Sequence, residues 1–141
     1  MADATTIIRE LEEAYRHYIE VFNREDAAGF VACYSHPHAM VSGQLGLVVT
    51  TTESDHLRGY QRIMETLHKS NWGRSGIDRM QIFPFSESLA QLVADVTRYK
   101  KDGSILEKLR ASYMFRHEDK GWKIVAFGLV EAPFSGPGVE R

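Results

Sequence analysis

Apolar residues Ile7, Ile8, Leu11, Tyr15, Tyr18, Ile19 and Phe22 recur at helical spacing from Thr5 to about Asn23, while Arg9, Glu10, Glu12, Glu13, Arg16 and Glu20 occupy the other side. The pattern predicts a long amphipathic helix. Asp26 is placed to cap a shorter helix, AAGFVACYS, which should end near Pro37 because the residue before a proline avoids helical geometry. His38 to Ser42 and Gly46 to Thr51 have the Val, Leu, Met and Thr content of two strands around a Gly43-Gln44-Leu45-Gly46 turn. Thr52 with Asp55 three residues on approximates a capping box for a third helix, with an apolar face of Leu57, Tyr60, Met64 and Leu67 and an end near Asn71-Trp72-Gly73.

Strand-like runs follow. Ile77 to Phe85 comes first, with Pro84 near its end arguing for an edge or a bulge. Leu89 to Lys100 and Ile105 to His117 are joined at Asp102-Gly103, a strong hairpin signal. Trp122 to Glu131 closes the series after a Glu118-Asp-Lys-Gly121 turn, and the tail FSGPGVER, from about residue 133, is expected to be loose. Helices and strands are segregated along the chain, which argues α+β, with three helices packed on a curved mixed or antiparallel sheet.

Composition narrows the function. With 141 residues, 43% hydrophobic and 26% charged, the chain suits a single domain with a substantial core. A formal charge of −2 provides no basic footprint for nucleic acid. No apolar run reaches the roughly 18 residues of a membrane span, and the acidic start MADATTIIRELEE is unlike a secretory signal, so a cytoplasmic location without membrane contact is expected. Cys33 is the only cysteine and is read as a small buried hydrophobe. There is no glycine-rich phosphate loop, no G-x-S-x-G elbow and no H-E-x-x-H pair, and no cofactor is called for. His36 and His38 have strand-like i, i+2 spacing, but no third ligand follows at a recognisable interval, so no metal is expected; His17, His68 and His117 are read as solvated.

The stretches Tyr18 to Asp26 (YIEVFNRED), Phe30 to Tyr34, Tyr113-Met-Phe-Arg and Gly121-Trp-Lys-Ile-Val125 resemble the nuclear transport factor 2-like superfamily over roughly Thr5 to Ala132. This is the SnoaL-like and ketosteroid isomerase-like cone fold, shared with scytalone dehydratase, limonene epoxide hydrolase and the polyketide cyclases. The resemblance implies a cavity between helices and sheet and a homodimer formed through the sheet. It places Tyr18 where the isomerases carry their carbonyl-polarising tyrosine, but brings Ser42 and Tyr113 to the positions of the two catalytic carboxylates. Neither can act as the general base that proton abstraction beside a carbonyl requires. Dehydratase-like chemistry would need a tyrosine, a histidine and an aspartate around one cavity; His36, His38 or His56 could supply the imidazole, though none falls on a matching motif. Epoxide hydrolysis would need an Asp-Arg-Asp set, of which only Asp95, Arg98 and Arg110 offer pieces.

Asp95 has two readings. Alignment with the isomerase strand turns it toward the pocket with Val93, Thr97 and Tyr99. The binary pattern instead makes Ala90, Leu92, Ala94 and Val96 the apolar face, and a two-residue turn at Asp102-Gly103 sets Asp95 opposite Arg110. Tyr18 is similarly open between a core tyrosine and the polar handle of a pocket. The candidate lining is Tyr18, Phe22, Met40, Ser42, Tyr60, Met64, Asp95, Tyr113 and Phe115. The expected function is binding of a small hydrophobic or aromatic molecule; the alternatives are an isomerase, dehydratase or cyclase using Tyr18 with Asp95 or a histidine, and a structural dimerisation domain.

Overall fold

In the computed structural model, which describes residues 3–131, three helices precede most of a six-stranded sheet. Helix α1 (Ala4–Asn23) starts at Asp3, whose carboxylate accepts from the Thr6 amide at 2.8 Å, and buries Ile7, Leu11, Tyr15, Tyr18, Val21 and Phe22. Helix α2 (Ala27–Ala32) is capped by Asp26, which accepts from the Gly29 amide. It is shorter than its sequence suggests. The chain leaves the helix at Cys33 because strand β1 (Tyr34–Ser42) begins immediately, with the Ile124 amide donating to the Cys33 carbonyl at 3.0 Å. Pro37 therefore does not stop a helix; it sits within β1 in the irregularity between Tyr34 and Ala39, where a missing N–H costs no ladder bond.

Strand β2 (Gly46–Thr50) completes a hairpin with β1. Helix α3 (Glu53–Lys69) is capped by Thr52, whose hydroxyl accepts from the Asp55 amide at 3.1 Å. Its buried residues are His56, Tyr60, Met64 and Leu67; the expected Leu57 is 37% exposed and His56 takes its place in the core. Strand β3 (Trp72–Pro84) begins five residues before Ile77, because Arg74, Ser75 and Gly76 interrupt the apolar pattern without interrupting the pairing. Asn23, at the end of α1, supplies part of the reason: its Nδ2 donates to the Ser75 carbonyl at 2.9 Å and its Oδ1 accepts from the Ser75 amide at 2.8 Å. One side chain thus meets both backbone groups that an edge strand leaves unpaired.

Strands β4 (Leu89–Lys100), β5 (Ile105–Glu118) and β6 (Gly121–Glu131) follow, in the sheet order β2-β1-β6-β5-β4-β3. All pairings are antiparallel except β1 with β6, so the sheet is mixed. Ala90, Leu92, Ala94 and Val96 of β4 lie opposite Phe115, Tyr113, Ala111 and Leu109 of β5, and all eight are buried beneath the helices. Among the described residues no helix is long and apolar enough to cross a membrane. The tail expected to be loose lies outside the described residues.

Candidate functional site

The 3.6-residue period of α1 turns Tyr15 and Tyr18 toward the inner face of the sheet, where they meet Tyr113 from β5 and Tyr34 from the start of β1. The Tyr18 ring lies 5.8 Å from Tyr34 and 5.8 Å from Tyr113 in edge-on geometry, and 5.4 Å from Phe30. The Tyr18 and Tyr34 hydroxyls are hydrogen-bonded at 2.7 Å. Two phenols own two O–H protons and this bond consumes one, so the pair keeps one donor in reserve. Burial, followed by the proximity of the other phenols, pushes the Tyr15 and Tyr18 hydroxyls well above the ordinary tyrosine range; burial does the same for Tyr34. All three stay protonated donors at neutral pH.

Two buried hydroxyls, Tyr15 Oη and Tyr60 Oη, have no hydrogen-bond partner among the described residues. Tyr15 is wholly buried, and the Tyr113 phenol is near enough to act on its pKa both by charge and by hydrogen-bonding proximity, yet no hydrogen bond of full geometry satisfies the Tyr15 hydroxyl. Tyr60 stacks on Phe30 at 4.7 Å and lines an open groove of about 540 Å³ with Met64, Glu25, Gln61, Glu65, His68 and Lys69. At its rim, exposed His68 hydrogen-bonds Glu25.

Next to the phenols stand three imidazoles. His36 and His38 come from β1 and His56 from the first turns of α3. Their ring centroids are 5.3 Å (His36–His38), 5.0 Å (His36–His56) and 4.4 Å (His38–His56) apart, and His36 Nε2 lies 2.8 Å from His56 Nδ1. His38 Nδ1 lies 2.9 Å from the Ser35 carbonyl; since that oxygen can only accept, Nδ1 carries the proton and Nε2 keeps its lone pair. Tyr34 packs 4.6 Å from both His38 and His56. Burial lowers all three imidazole pKa values; for His56 the neighbouring His38 and His36 add to this, bringing it to about 4, whereas Glu53 partly offsets the shift at His36 and the Ser35 carbonyl at His38. The sequence named all three histidines without bringing them together: the third member lies twenty residues on, across a hairpin, and no spacing rule reaches it.

Of the residues proposed from sequence, Tyr18, Phe22, Tyr60, Met64, Tyr113 and Phe115 share the buried cluster. Met40 is half-buried on β1 opposite Phe127. Ser42 belongs elsewhere: its hydroxyl accepts from the Gln44 and Leu45 amides and shapes the β1–β2 turn. Asp95 takes the second of its two readings, the pair with Arg110. It lies on the face of β4 opposite Leu92 and Ala94, with Arg110 Nε donating to Oδ1 at 2.7 Å and Arg79 alongside on β3. Of the two irregularities in the β3–β4 pairing, the one between Ile77 and Arg79 lies nearest and leaves the facing of Asp95 on β4 unchanged. The Arg110 hydrogen bond holds its carboxyl below the usual range, making it a poor proton acceptor, and solvent screens this partly exposed cross-strand pair so that it adds little to stability. Cys33 donates to the Gly29 carbonyl at 3.3 Å and burial raises its thiol to about 11, as befits packing and not nucleophilic chemistry. The candidate lining from sequence lacks Tyr34 and has Tyr15 only in the helical stripe; the i, i+3 pairing of Tyr15 with Tyr18 is the signal for the latter.

Three helices over a six-stranded mixed sheet, with a core rich in aromatic side chains between them, define the α+β cone fold of NTF2-like proteins. The chain belongs to that group: residues 9–132 match the family described as NTF2-like protein (DUF6841). It is similar to an NTF2-like protein of unknown function from Pseudomonas putida KT2440, with 14% identity, 95% of this chain and 92% of that one covered, and a TM-score of 0.75. A protein of unknown function with a cystatin-like fold from Nostoc punctiforme PCC 73102 has 12% identity, coverage of 93% and 94%, and a TM-score of 0.74. A ketosteroid isomerase-like protein from Erwinia carotovora atroseptica SCRI1043 has 16% identity, coverage of 89% and 95%, and a TM-score of 0.65. At these identities the likeness is one of fold. No curated protein matches the sequence.

Proposed function

We propose that the protein binds a small, largely apolar or aromatic molecule carrying an acceptor oxygen, held between the helices and the sheet. The observation that carries this reading is two buried hydroxyls without a hydrogen-bond partner, that of Tyr15 in a largely apolar interior and that of Tyr60 beside the open groove. A buried donor without an acceptor costs about 1–3 kcal/mol, and a ligand oxygen would recover it. Apolar walls supply affinity, and a few placed donors supply orientation. The prediction is a contrast between two probes of one frame: 2-acetylnaphthalene, which has a carbonyl, and 2-ethylnaphthalene, which has none. In calorimetric titrations the ketone should bind about 2–13-fold tighter, the worth of one net hydrogen bond. Tyr15→Phe and Tyr60→Phe together should abolish that difference; equal affinities for the two probes in the parent protein would remove the phenols from recognition.

A second reading is acid–base catalysis, favoured by Tyr34 standing 4.6 Å from both His38 and His56. With Asp95 held by Arg110, a histidine is the remaining candidate base of those considered from sequence. A change in the absorbance or mass of a bound hydroxy-ketone, lost in His38→Gln, would support it; recovery of the compound unchanged would leave the binding reading in sole possession.

We also infer that two copies pair through the outer face of the sheet. Val41, Leu47 and Val49 form an apolar stripe on one face of the β1–β2 hairpin, each more than half exposed. Such a stripe is costly to leave in water. Light scattering after size exclusion should give the dimer mass for the parent and the monomer mass for Leu47→Glu/Val49→Glu, and a monomeric parent would dismiss the idea.

A further inference from the structure

We propose that His36, His38 and His56 form a binding site for a first-row divalent transition-metal cation, zinc foremost among them. One ring nitrogen from each residue lies within 4.8 Å of the others. Tetrahedral zinc with imidazole ligands at about 2.0–2.1 Å sets its nitrogens about 3.3 Å apart, so the cluster stands within a small side-chain adjustment of a coordination shell. His36 Nε2 and His56 Nδ1, now 2.8 Å apart, need to part by about 0.5 Å to reach that tetrahedral spacing. His38 is already held in the tautomer of a ligand. Its Nδ1–H is tied to the Ser35 carbonyl, the outer-shell bond that fixes tautomer and ring direction in histidine–metal sites, and Nε2 is left to coordinate.

The surroundings agree with this assignment. Phe30 and Tyr34 pack against the His56 ring at 5.4 Å and 4.6 Å, an aromatic wall that limits its rotation. No carboxylate joins the ligand set among the described residues, and the all-imidazole donor set suits zinc, copper, nickel or cobalt and not magnesium or calcium. Three imidazoles leave one tetrahedral position for water or for an oxygen of a bound molecule. A lone core histidine needs no explanation beyond its own hydrogen bond; three converging rings, two of them on one strand and the third brought in by a helix, are harder to account for by packing alone. The site is independent of the phenol reading, and either can fail without the other.

The test uses the full chain, stripped with a chelator and then titrated with Zn²⁺ against a competing indicator and with Co²⁺ followed by its visible d–d bands. One equivalent should bind, and the cobalt spectrum should have the intensity of a tetrahedral nitrogen site. His36→Ala and His38→Ala should each weaken binding more than about 100-fold, beyond the 10–100-fold that outer-shell changes cost. His36 is only partly buried, so its variant tests the ligand with the least risk to the fold, and circular dichroism monitors that fold. The His17→Ala/His68→Ala/His117→Ala variant, which removes three exposed histidines outside the cluster, should bind like the parent. Sub-stoichiometric binding, affinity that follows His17, His68 and His117, or a cobalt site untouched by both His36→Ala and His38→Ala would overturn the proposal.

Discussion

Replacing Trp72 by alanine should cost about 3–5 kcal/mol of folding stability, the range for emptying a large buried aromatic site. Trp72 is 1% exposed and is the largest fully buried side chain among the described residues. It stands at the joint of three elements: the first residue of β3, edge-on to Phe22 of α1 at 5.5 Å, and 6.1 Å from His68 of α3. Its indole N–H donates to Ser75 Oγ at 3.2 Å, beside the backbone groups that Asn23 holds. The loss therefore combines removed apolar contact with a cavity that helices anchored on both sides cannot easily close. Guanidinium unfolding should show the midpoint falling with the slope unchanged, since the surface exposed on unfolding stays nearly the same. Trp72→Phe, which keeps most of the contact and loses the hydrogen bond, should fall between parent and alanine. A loss below about 1.5 kcal/mol in Trp72→Ala would mean that the joint collapses around the gap and is not the anchor of α1.

The parts of the fold that the sequence reveals are those governed by local rules. The α1 stripe, the Asp26 and Thr52 caps and the Asp102-Gly103 turn are each short-range; Lys100 faces Ser104 across that turn in place of the expected two-residue loop, and an irregularity between Arg98 and Tyr99 restores the register that sets Asp95 opposite Arg110. On Asp95 the binary pattern and the family alignment disagreed, and the pattern was the better guide: apolar alternation along β4 reports which face is buried in this chain, whereas an alignment imports another chain's bulges. The misreadings share a cause. The local pattern places Trp72 at a helix end and Tyr34 in a helix, whereas their strands begin abruptly at helix exits and are held by distant partners, Asn23 and Ile124. The parallel β1–β6 pairing likewise has no local signature, since it joins segments about ninety residues apart.

The candidate site divides along the same line. Phe22, Met64, Tyr113 and Phe115 are apolar positions of recognisable periodicity, so their burial was predictable without knowing their neighbours. The chemistry depends on meetings between elements: Tyr18 with Tyr34 across α1 and β1, and His56 with His36 across α3 and β1. Neither meeting is a matter of spacing. Ser42 shows the converse, since a residue in the right place by family correspondence is used by its own turn, where a hydroxyl at a strand end is well placed to bind amides two and three residues on.

Two phenol-to-phenyl substitutions, three residues apart on α1, should move stability in opposite directions. Tyr18→Phe removes the partner of the Tyr34 hydroxyl, which stays buried and unpaired, and should cost about 1–3 kcal/mol. Tyr15→Phe removes a hydroxyl that has no partner to lose, so deleting it should stabilise the ligand-free protein by up to about 1 kcal/mol, the desolvation penalty being relieved. Both changes keep the ring, so packing is nearly constant and the difference isolates the hydroxyl. Adding 2-acetylnaphthalene at a concentration well above its dissociation constant should reverse the benefit for Tyr15→Phe, because ligand stabilisation scales with affinity and this variant has given up a donor. Paired urea titrations with and without the ketone measure all four quantities. If Tyr15→Phe proves as damaging as Tyr18→Phe without ligand, its hydroxyl already has an acceptor, and the demand for an oxygen from outside disappears.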